Sequence, residues 1–294
     1  MNVLSLCDGM SGGQQAFELN GITFDGVNNK YYSSEIEPSS IKVTQYNYPN
    51  TIQIGDMTKI KDLDKYKGID ALLSGTPCKS LSRTNTEQYK KGLDGSSKLF
   101  YDFVDIKKYI KPKYFLFENV ESMSVESKDI ISELLEVEPI MIDSALFSAQ
   151  NRKRLYWTNI PINKLPKENN LVIKDILLPI DEVEEKYWYK NRTFTFHGED
   201  KSVAATLDIK GHDILKRVSS KYYKSPTLTA CRGGNLQKKV YQDGKCRKLT
   251  PLEYERLQTV KERYTACVSD TNRYNMLGDG WTINVIAHIL KGLC

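Results

Sequence analysis

Histidine is scarce in this sequence and cysteine is unpatterned. Of 294 residues only three are His (His197, His212, His288) and six are Cys (Cys7, Cys78, Cys231, Cys246, Cys267, Cys294), and no two cysteines stand as CxxC. The ligand spacing of a structural zinc site is therefore missing, and no metal is expected. No apolar run approaches the ~18 residues of a membrane span. The opening MNVLSLCDGMSGG has neither the basic n-region nor the long apolar h-region of a signal peptide, so a cytoplasmic protein with reduced thiols is expected. There is no internal repeat or low-complexity tract. Hydrophobic residues make up 40% and charged residues 27%, which excludes extensive disorder. The length suffices for one large domain or two ordinary ones, with a core that needs no disulfide or metal as a staple.

Charge is the first positive feature. Net charge is a mild +5, but its distribution is uneven. Between Lys186 and Lys248, eleven Lys and four Arg face five acidic residues, a net +10 that leaves the remainder of the chain at −5. Tyr187, Trp188, Tyr189, Phe194, Phe196, Tyr222, Tyr223 and Tyr241 interleave these cations. Cations among aromatics suit a polyanion that also offers bases. A solvated basic surface has the same composition, so motifs must decide.

Short apolar runs alternate with helical spacing in the first half. Val3 to Cys7, Tyr31 to Glu35, Ala71 to Leu73, Tyr114 to Phe117, Ile140 to Ile142 and Leu155 to Trp157 read as strands, while Leu99, Phe103, Ile106 and Ile110 form one helical stripe. The alternation predicts an α/β domain with a mostly parallel sheet and ligands beyond the carboxyl ends of its strands. A boundary falls at the Pro- and Asn-rich stretch from Asn159 to Pro166. The basic segment after it, 161–248, reads as a small separate domain, and 249–294 returns to the first, 1–160. Thr250, Pro251 and Glu253 read as N-cap, first helical residue and capping box, with Leu249 and Tyr254 as a hydrophobic staple. Ile283, Ile286, Ala287 and Leu290 predict an amphipathic last helix that packs back on the first domain.

Four constellations could carry chemistry. In LSLCDGMSGGQQAFE (Leu4 to Glu18) a strand, a Gly-rich turn and a helix follow one another, which allows close backbone approach and offers helix-start N–H donors. Glu35, 22 residues after Gly13, stands where nucleotide-binding folds put a carboxylate for ribose hydroxyls. Asp56 follows the next strand-like piece and could accept from an adenine amino group. In LLSGTPCKSLS (Leu72 to Ser82), Cys78 follows a buried strand and Pro77, as a nucleophile can, although a buried inert thiol fits the same pattern. The polar stretch after it reads as a loop that closes over substrate. YFLFENVES ends a strand on Glu118 and Asn119, where apolar neighbours raise a carboxyl pKa for acid work, or where the Glu caps the next helix. In AQNRKRLYW, Gln150, Arg152 and Arg154 alternate and share one face if extended, so two guanidiniums suit a phosphate or a base carbonyl.

Together these motifs resemble those of the DNA cytosine-5 methyltransferases. DGMSGG, SGTPCKSLS, FENV, QNRKR, RKLTPLEYERLQ and LGDGWTINVIAHI occur in the family's order over nearly the whole chain, and SPTLTACRGG (Ser225 to Gly234) is similar to its target-recognition stretch. The resemblance implies an α/β, Rossmann-like S-adenosylmethionine-dependent methyltransferase domain with a small basic target-recognition domain. It implies transfer of a methyl group to C5 of cytosine in a specific duplex DNA sequence of a bacterial or phage modification system. Cys78 would add at C6 of a flipped base, with Glu118 at N3 and Arg154, beside Arg152, at the base carbonyl. Asp8, Gly9, Met10, Gly13, Glu35, Ile36, Asp56, Met57, Pro77, Leu99, Asp279 and Trp281 would contact S-adenosylmethionine. Ser82, Thr227, Leu228, Arg232, Gly233 and Gly234 would contact DNA.

The chain departs from the family pattern in three places. Cys7 stands where an aromatic is usual, Gly278-Asp279 where Gly-Asn is usual, and Lys79 where Gln or Asn is frequent. Competing readings are an RNA cytosine-5 methyltransferase on the same scaffold and an inactive DNA-binding relative. The Cys-Phe-Thr signature of the tRNA-methylating branch is absent, and an inactive relative would be expected to lose Cys78 or Glu118. A nicotinamide dehydrogenase would leave Pro77-Cys78, Glu118-Asn119 and the basic segment unexplained.

Overall fold

The apolar runs of the first half pair as strands of one sheet. In the computed structural model, which describes residues 1–77, 81, 92–94 and 97–293, these are β1 (Asn2–Leu6), β2 (Lys30–Ser34), β3 (Ile52–Gln53), β4 (Ala71–Ser74), β5 (Tyr114–Val120), β6 (Ile140–Asp143) and β7 (Lys153–Thr158). Their order is β3-β2-β1-β4-β5-β7-β6. The first five are parallel, and β7 is antiparallel to both β5 and β6. The mostly parallel α/β sheet expected from the sequence is present. Connections leave β1 toward β2 on one side and reach β4 on the other, which makes the carboxyl ends of β1 and β4 a switch point of the kind that binds ligands.

Side-chain alternation along the strands assigns the faces. Leu4, Leu6, Leu72, Phe115, Phe117 and Trp157 share one face and form a single buried cluster with Phe100, Phe103, Ile106 and Ile110 of α3 (Leu99–Ile110) and Ile131 and Leu135 of α4 (Val125–Leu135). The predicted stripe of α3 is thus the stripe it buries. The opposite face carries Tyr31 and Leu73, against which α1 (Gly12–Leu19) lies so closely that a Cβ on Gly13 would come within 2.5 Å of the Tyr31 hydroxyl and 2.9 Å of Leu73. A further helix, α2 (Pro38–Asn47), follows β2.

The chain divides into two compact units, Met1–Asp143 with Lys153–Lys164 and Val285–Cys294, and Ser144–Arg152 with Leu165–Asn284. The second contains a five-stranded sheet of order β12-β11-β10-β9-β8, from β8 (Phe194–Phe196), β9 (Val203–Leu207), β10 (Arg217–Ser220), β11 (Lys239–Gln242) and β12 (Lys245–Lys248). Its core is Ala205, Leu207, Ile209, Val218 and Cys246, with Tyr189, Phe194 and Tyr241 packed on it. Asp243 and Gly244, both at positive φ, make the two-residue turn between β11 and β12, the hairpin chemistry of Asp-Gly.

This unit also holds α5 (Asp213–Lys216), α6 (Pro251–Leu257) and α7 (Asp270–Asp279). α6 starts with the capping box read from the sequence: Thr250 accepts from Glu253 N–H and Glu253 from Thr250 N–H.

The last helix, α8 (Ile283–Leu290), is amphipathic as expected, with a wide apolar face: Ile283, Val285, Ile286, Ala287, Ile289 and Leu290 are buried, and Asn284 and His288, four residues apart, share the half-exposed side. Within the first unit its Ala287 carbonyl accepts from Asn20 at 2.8 Å, beyond the end of α1. Among the described residues no helix is long and apolar enough to cross a membrane.

Candidate active site

The turn after β1 is built around one buried carboxylate. Asp8 accepts from Tyr31 at 2.8 Å, from Ser33 at 2.8 Å and from Ser11. Burial pushes its pKa up, against the pull of these hydroxyls. Cys7, Gly9 and Ser11 all lie at positive φ (52°, 59° and 56°). Two of them are non-glycine residues, so the turn stores backbone strain of the sort found at ligand sites. Gly9 needs no room for packing, since a Cβ there would meet nothing within 4 Å, whereas Gly13 is the point of contact between helix and sheet. Met10 is buried.

Glu35 lies one residue past β2, half-buried. Its Oε2 accepts from Gly9 N–H at 2.7 Å, and its Oε1 from Ile36 and Glu37 N–H at 2.8 Å each. The carboxylate is thereby fixed in orientation and linked to the β1 turn. Ile36 is exposed. After β3, Asp56 caps the short helix Met57–Lys59, and the Thr58 N–H holds its carboxyl below the usual range. Buried Met57 meets Cys7 sulfur to sulfur at 3.4 Å. Burial, followed by the charges of Glu35, Asp56, Asp8 and Asp102, pushes the Cys7 thiol up to about 12. Cys7 is thus a neutral apolar wall, and the region around it is electronegative. Leu99, the first residue of α3, is half-buried against the same cluster. A cavity of about 270 Å³ adjoins Met57 on the side of Ile60 and Ile106, and neither Glu35 nor Glu118 lines it.

The second group stands at the ends of β4, β5 and β7. Because β7 runs antiparallel, its first residues reach the edge where β5 ends, and Arg154 pairs in register with Val120. Arg154 Nε meets Glu118 Oε1 at 2.9 Å, with side chains only 14% and 11% exposed. Asn119 donates to the Thr76 carbonyl at 3.3 Å, tying the end of β5 to the segment leaving β4. Pro77 follows Thr76 and is exposed. Cys78 and Ser82 lie outside the described residues.

Gln150 and Arg152 both reach Leu228, through its N–H and its carbonyl, while Arg154 meets Glu118. β7 begins at Lys153, and residues 150–152 run instead beside the segment that opens SPTLTACRGG: Gln150 bridges Ser225 in parallel, and Asn151 N–H donates to the Ser225 carbonyl at 2.9 Å. Arg152 is 4% exposed, and its guanidinium donates to the carbonyls of Leu228 at 2.8 Å, Gly278 at 3.1 Å and Gly280 at 3.0 Å. Gln150 and Gln258, buried on this side, had no functional signal beyond the QxRxR pattern and the Gln at the end of α6. Thr227 donates from its hydroxyl to the Asn151 carbonyl at 2.7 Å, and Leu228 is buried. Arg232 is exposed and donates to Asn275 at 3.3 Å. Gly233 and Gly234 are at φ 133° and 68°. Asp279, exposed, ends α7, and Trp281 follows, half-buried.

A mostly parallel sheet thus carries a fixed carboxylate after β2 and a Glu–Arg pair at the carboxyl ends of its strands. Solved structures share this fold. Methyltransferase EhMeth of Entamoeba histolytica superposes with a TM-score of 0.73 over 100% of this chain and 97% of that one, at 16% identity.

At the level of sequence, Type II methyltransferase M1.ScrFI of Lactococcus lactis subsp. cremoris is 27% identical over 88% of this chain and 70% of its own length. Type II methyltransferase M.SsoII of Shigella sonnei is 29% identical over 90% and 73%. The family model for C-5 cytosine-specific DNA methylase matches residues 1–294. The chain belongs to the C-5 cytosine-specific DNA methylase family.

Proposed function

We propose that this C-5 cytosine-specific DNA methylase takes its methyl group from S-adenosylmethionine and acts on one duplex sequence, through Cys78 and the Glu118–Arg154 pair. The observation that carries the reading is the pair itself. A carboxyl group and a guanidinium meet at 2.9 Å at the carboxyl edge of the sheet, and Asn119, next to Glu118, is tied to Thr76, two residues before Cys78 in the chain.

Cytosine C5 is a poor nucleophile until a group adds at C6. The Cys78 thiolate forms the bond to C6, and ring electron density moves toward C5, N3 and the carbonyl oxygen. Glu118, holding a proton at N3, and Arg154, donating to the carbonyl oxygen, stabilise that density. C5 would form its bond to the methyl carbon as that carbon's bond to the sulfonium sulfur breaks and the neutral thioether leaves; loss of the C5 proton to a solvent base would then restore the ring double bond and expel the thiolate. A base in a duplex must leave the stack for this attack.

The cofactor supplies an electrophilic methyl group on a sulfonium. The first unit fits such a molecule in charge and in shape. Four carboxylates act on the site of Cys7, which favours a cation. Glu35 is held by three backbone N–H groups in position to accept ribose hydroxyls. Asp56 and Met57 offer an acceptor and an apolar face to adenine, with Ile36 and Leu99 as further walls. Asp8, Met10 and Gly13 hold the turn, and open space at Gly9 admits the methionine portion.

Residues 161–248 supply DNA contacts in this reading. Exposed Tyr222, Tyr223 and Phe196, with Lys221 over Tyr222, offer cations and rings at the surface. Thr227, Arg232, Gly233 and Gly234 are the specific candidates.

The test is methyl transfer from labelled S-adenosylmethionine to unmethylated genomic duplex DNA and, in parallel, to total RNA, with product nucleosides identified by mass. 5-Methylcytosine in DNA, abolished by Cys78→Ser with DNA binding retained, is the expected result. Label confined to RNA overturns the substrate, and turnover by the Cys78→Ser variant overturns the nucleophile.

A further inference from the structure

The cavity beside Met57 is built from two elements of the first unit. α3 supplies one wall with Asp102, Asp105, Ile106 and Tyr109. Their spacing of three and four residues puts them on one side of the helix, along about 10 Å of its length. The chain between β3 and β4 supplies the other wall, with Met57 and Thr58 of the short helix Met57–Lys59, then Ile60 and Leu63. The walls are fastened at Tyr109, whose hydroxyl donates to Asp64 at 2.9 Å and whose ring lies 4.7 Å from Lys67 Nζ. The lining is apolar where it joins the core: Met57 and Ile106 are buried, and Ile60 and Leu63 are half-buried in the same cluster.

The charge on this lining is of one sign. Asp102 is half-buried and Asp105 exposed, and neither has a hydrogen bond or ion pair among the described residues. The lysines of the opposite segment do not neutralise them. Lys59, Lys65 and Lys67 pair with Asp56, Asp62 and Asp64, and Lys61 does not line the cavity. Carboxylates beside an apolar wall suit an aliphatic chain that ends in a cation.

Asp56 stands between this cavity and the adenine site. Its Oδ1 accepts from the Thr58 N–H at 2.9 Å and the Thr58 hydroxyl at 2.8 Å, and its Oδ2 pairs with Lys59 at 3.1 Å. Of the roughly four acceptor positions of a carboxylate, these leave about one for an adenine amino group. That bond uses one N–H of the two, so the second hydrogen is free to be replaced. Thr58, which holds Asp56, also lines the cavity.

We propose that the cavity is a further compartment of the cofactor site, which takes an alkylammonium group carried on the adenine amino nitrogen. The proposal rests on the proposed function, which gives the adenine to Asp56 and Met57. Met57 is the shared wall: its sulfur meets that of Cys7, and the same side chain lines the cavity. A volume of about 270 Å³ compares with the ~30 Å³ that one water takes in the liquid, so three methylenes and an ammonium fit.

The test is equilibrium dialysis of labelled S-adenosylhomocysteine, competed by the unlabelled parent, by its N6-propyl derivative and by its N6-(3-aminopropyl) derivative. The native chain should bind the aminopropyl derivative at least as tightly as the parent. It should prefer it to the propyl derivative by about threefold, the effect of a partly exposed ion pair. Asp102→Asn combined with Asp105→Asn should erase that preference and leave affinity for the parent within about twofold. Leu63→Trp, which puts an indole into the cavity, should weaken both derivatives by about tenfold or more and the parent by less than about threefold.

A native chain that binds the parent and rejects both derivatives would overturn the proposal. Equal binding of the derivatives by the native chain and Leu63→Trp would also overturn it, because the substituent would then lie in solvent. So would a preference for the ammonium that survives loss of both carboxylates. Should Leu63→Trp fail to fold, Ile60→Trp fills the cavity from the same wall and should discriminate in the same direction; unchanged binding of the derivatives there overturns the proposal. A native chain that does not bind the parent would sink the proposed cofactor site, and this compartment with it.

Discussion

Two Arg–Glu pairs in this chain look alike as residue types and differ in surroundings. Arg247 and Glu253 are wholly buried and meet through two bonds, at 2.6 and 2.8 Å. Arg247 also donates to Gln242 at 2.7 Å and to the Lys248 carbonyl at 3.0 Å, while Glu253 accepts from the N–H groups of Leu178 and Thr250. That pair fastens β12 to the start of α6. Arg154 and Glu118 meet through the guanidinium Nε, keep some exposure, and stand near the ends of two adjacent strands. A bidentate, dry, multiply bonded pair is a structural joint. A partly exposed pair at the carboxyl edge of the sheet is suited to exchange partners with a substrate.

Substitution should separate the two. Glu118→Gln keeps shape and most hydrogen bonding but loses the proton-holding carboxyl, so kcat should drop by about 10²–10⁴, with a thermal midpoint within a few degrees of the native chain. A Glu118→Gln enzyme at full rate would remove the pair from the chemistry. Glu253→Gln should do the reverse. Breaking one side of a buried pair leaves an uncompensated charge and costs about 3–5 kcal/mol, visible as a lower urea midpoint, while kcat of the fraction that remains folded stays near native. A stable but inactive Glu253→Gln variant would contradict the assignment of that pair to structure.

The sequence made the first sheet legible because period-2 and buried-strand runs depend on local side chains. The reversal of β7 was not legible, yet it is what brings Arg154 to Glu118. The capping box of α6 was readable for the same local reason, and its Glu253 turned out to have a second duty that depends on distant Arg247.

Charge counting misled more. The basic segment contains Lys224, Lys239 and Arg247, but these are committed inward: Lys224 to carbonyls of Ala145, Ser148 and Leu171, Lys239 to those of Asn235 and Gln237, and Arg247 to Glu253. Likewise Tyr187, Tyr189, Phe194 and Tyr241 serve the interior of the second unit, and the exposed rings are Phe196, Tyr222 and Tyr223. Composition counts residues without knowing which way they face. Arg152 shows the same limit: its spacing to Arg154 does not reveal that its guanidinium is committed to the carbonyls of Leu228, Gly278 and Gly280.

Lys239 extends the contrast between the two pairs to a buried cation held by carbonyls. It is 3% exposed, and its Nζ donates to the carbonyls of Asn235 at 2.7 Å and Gln237 at 3.0 Å. Burial, then the neighbouring charges of Lys238 and Lys248, pushes its pKa down from 10.5 to about 8. Between those values the unfolded chain binds the proton and the folded chain has released it, so stability contributed by this group rises with pH across the window and falls again as pH drops through about 8. Urea unfolding of the native chain and of Lys239→Met at pH 7.5 and at pH 9.5 isolates the term, because the other titrations are common to both proteins. The native chain should gain on the order of 1 kcal/mol relative to the variant between the two pH values. A difference independent of pH would mean that the two carbonyls compensate the ammonium as fully as Glu253 does Arg247, and that a carboxylate is not what distinguishes a stable buried cation in this fold.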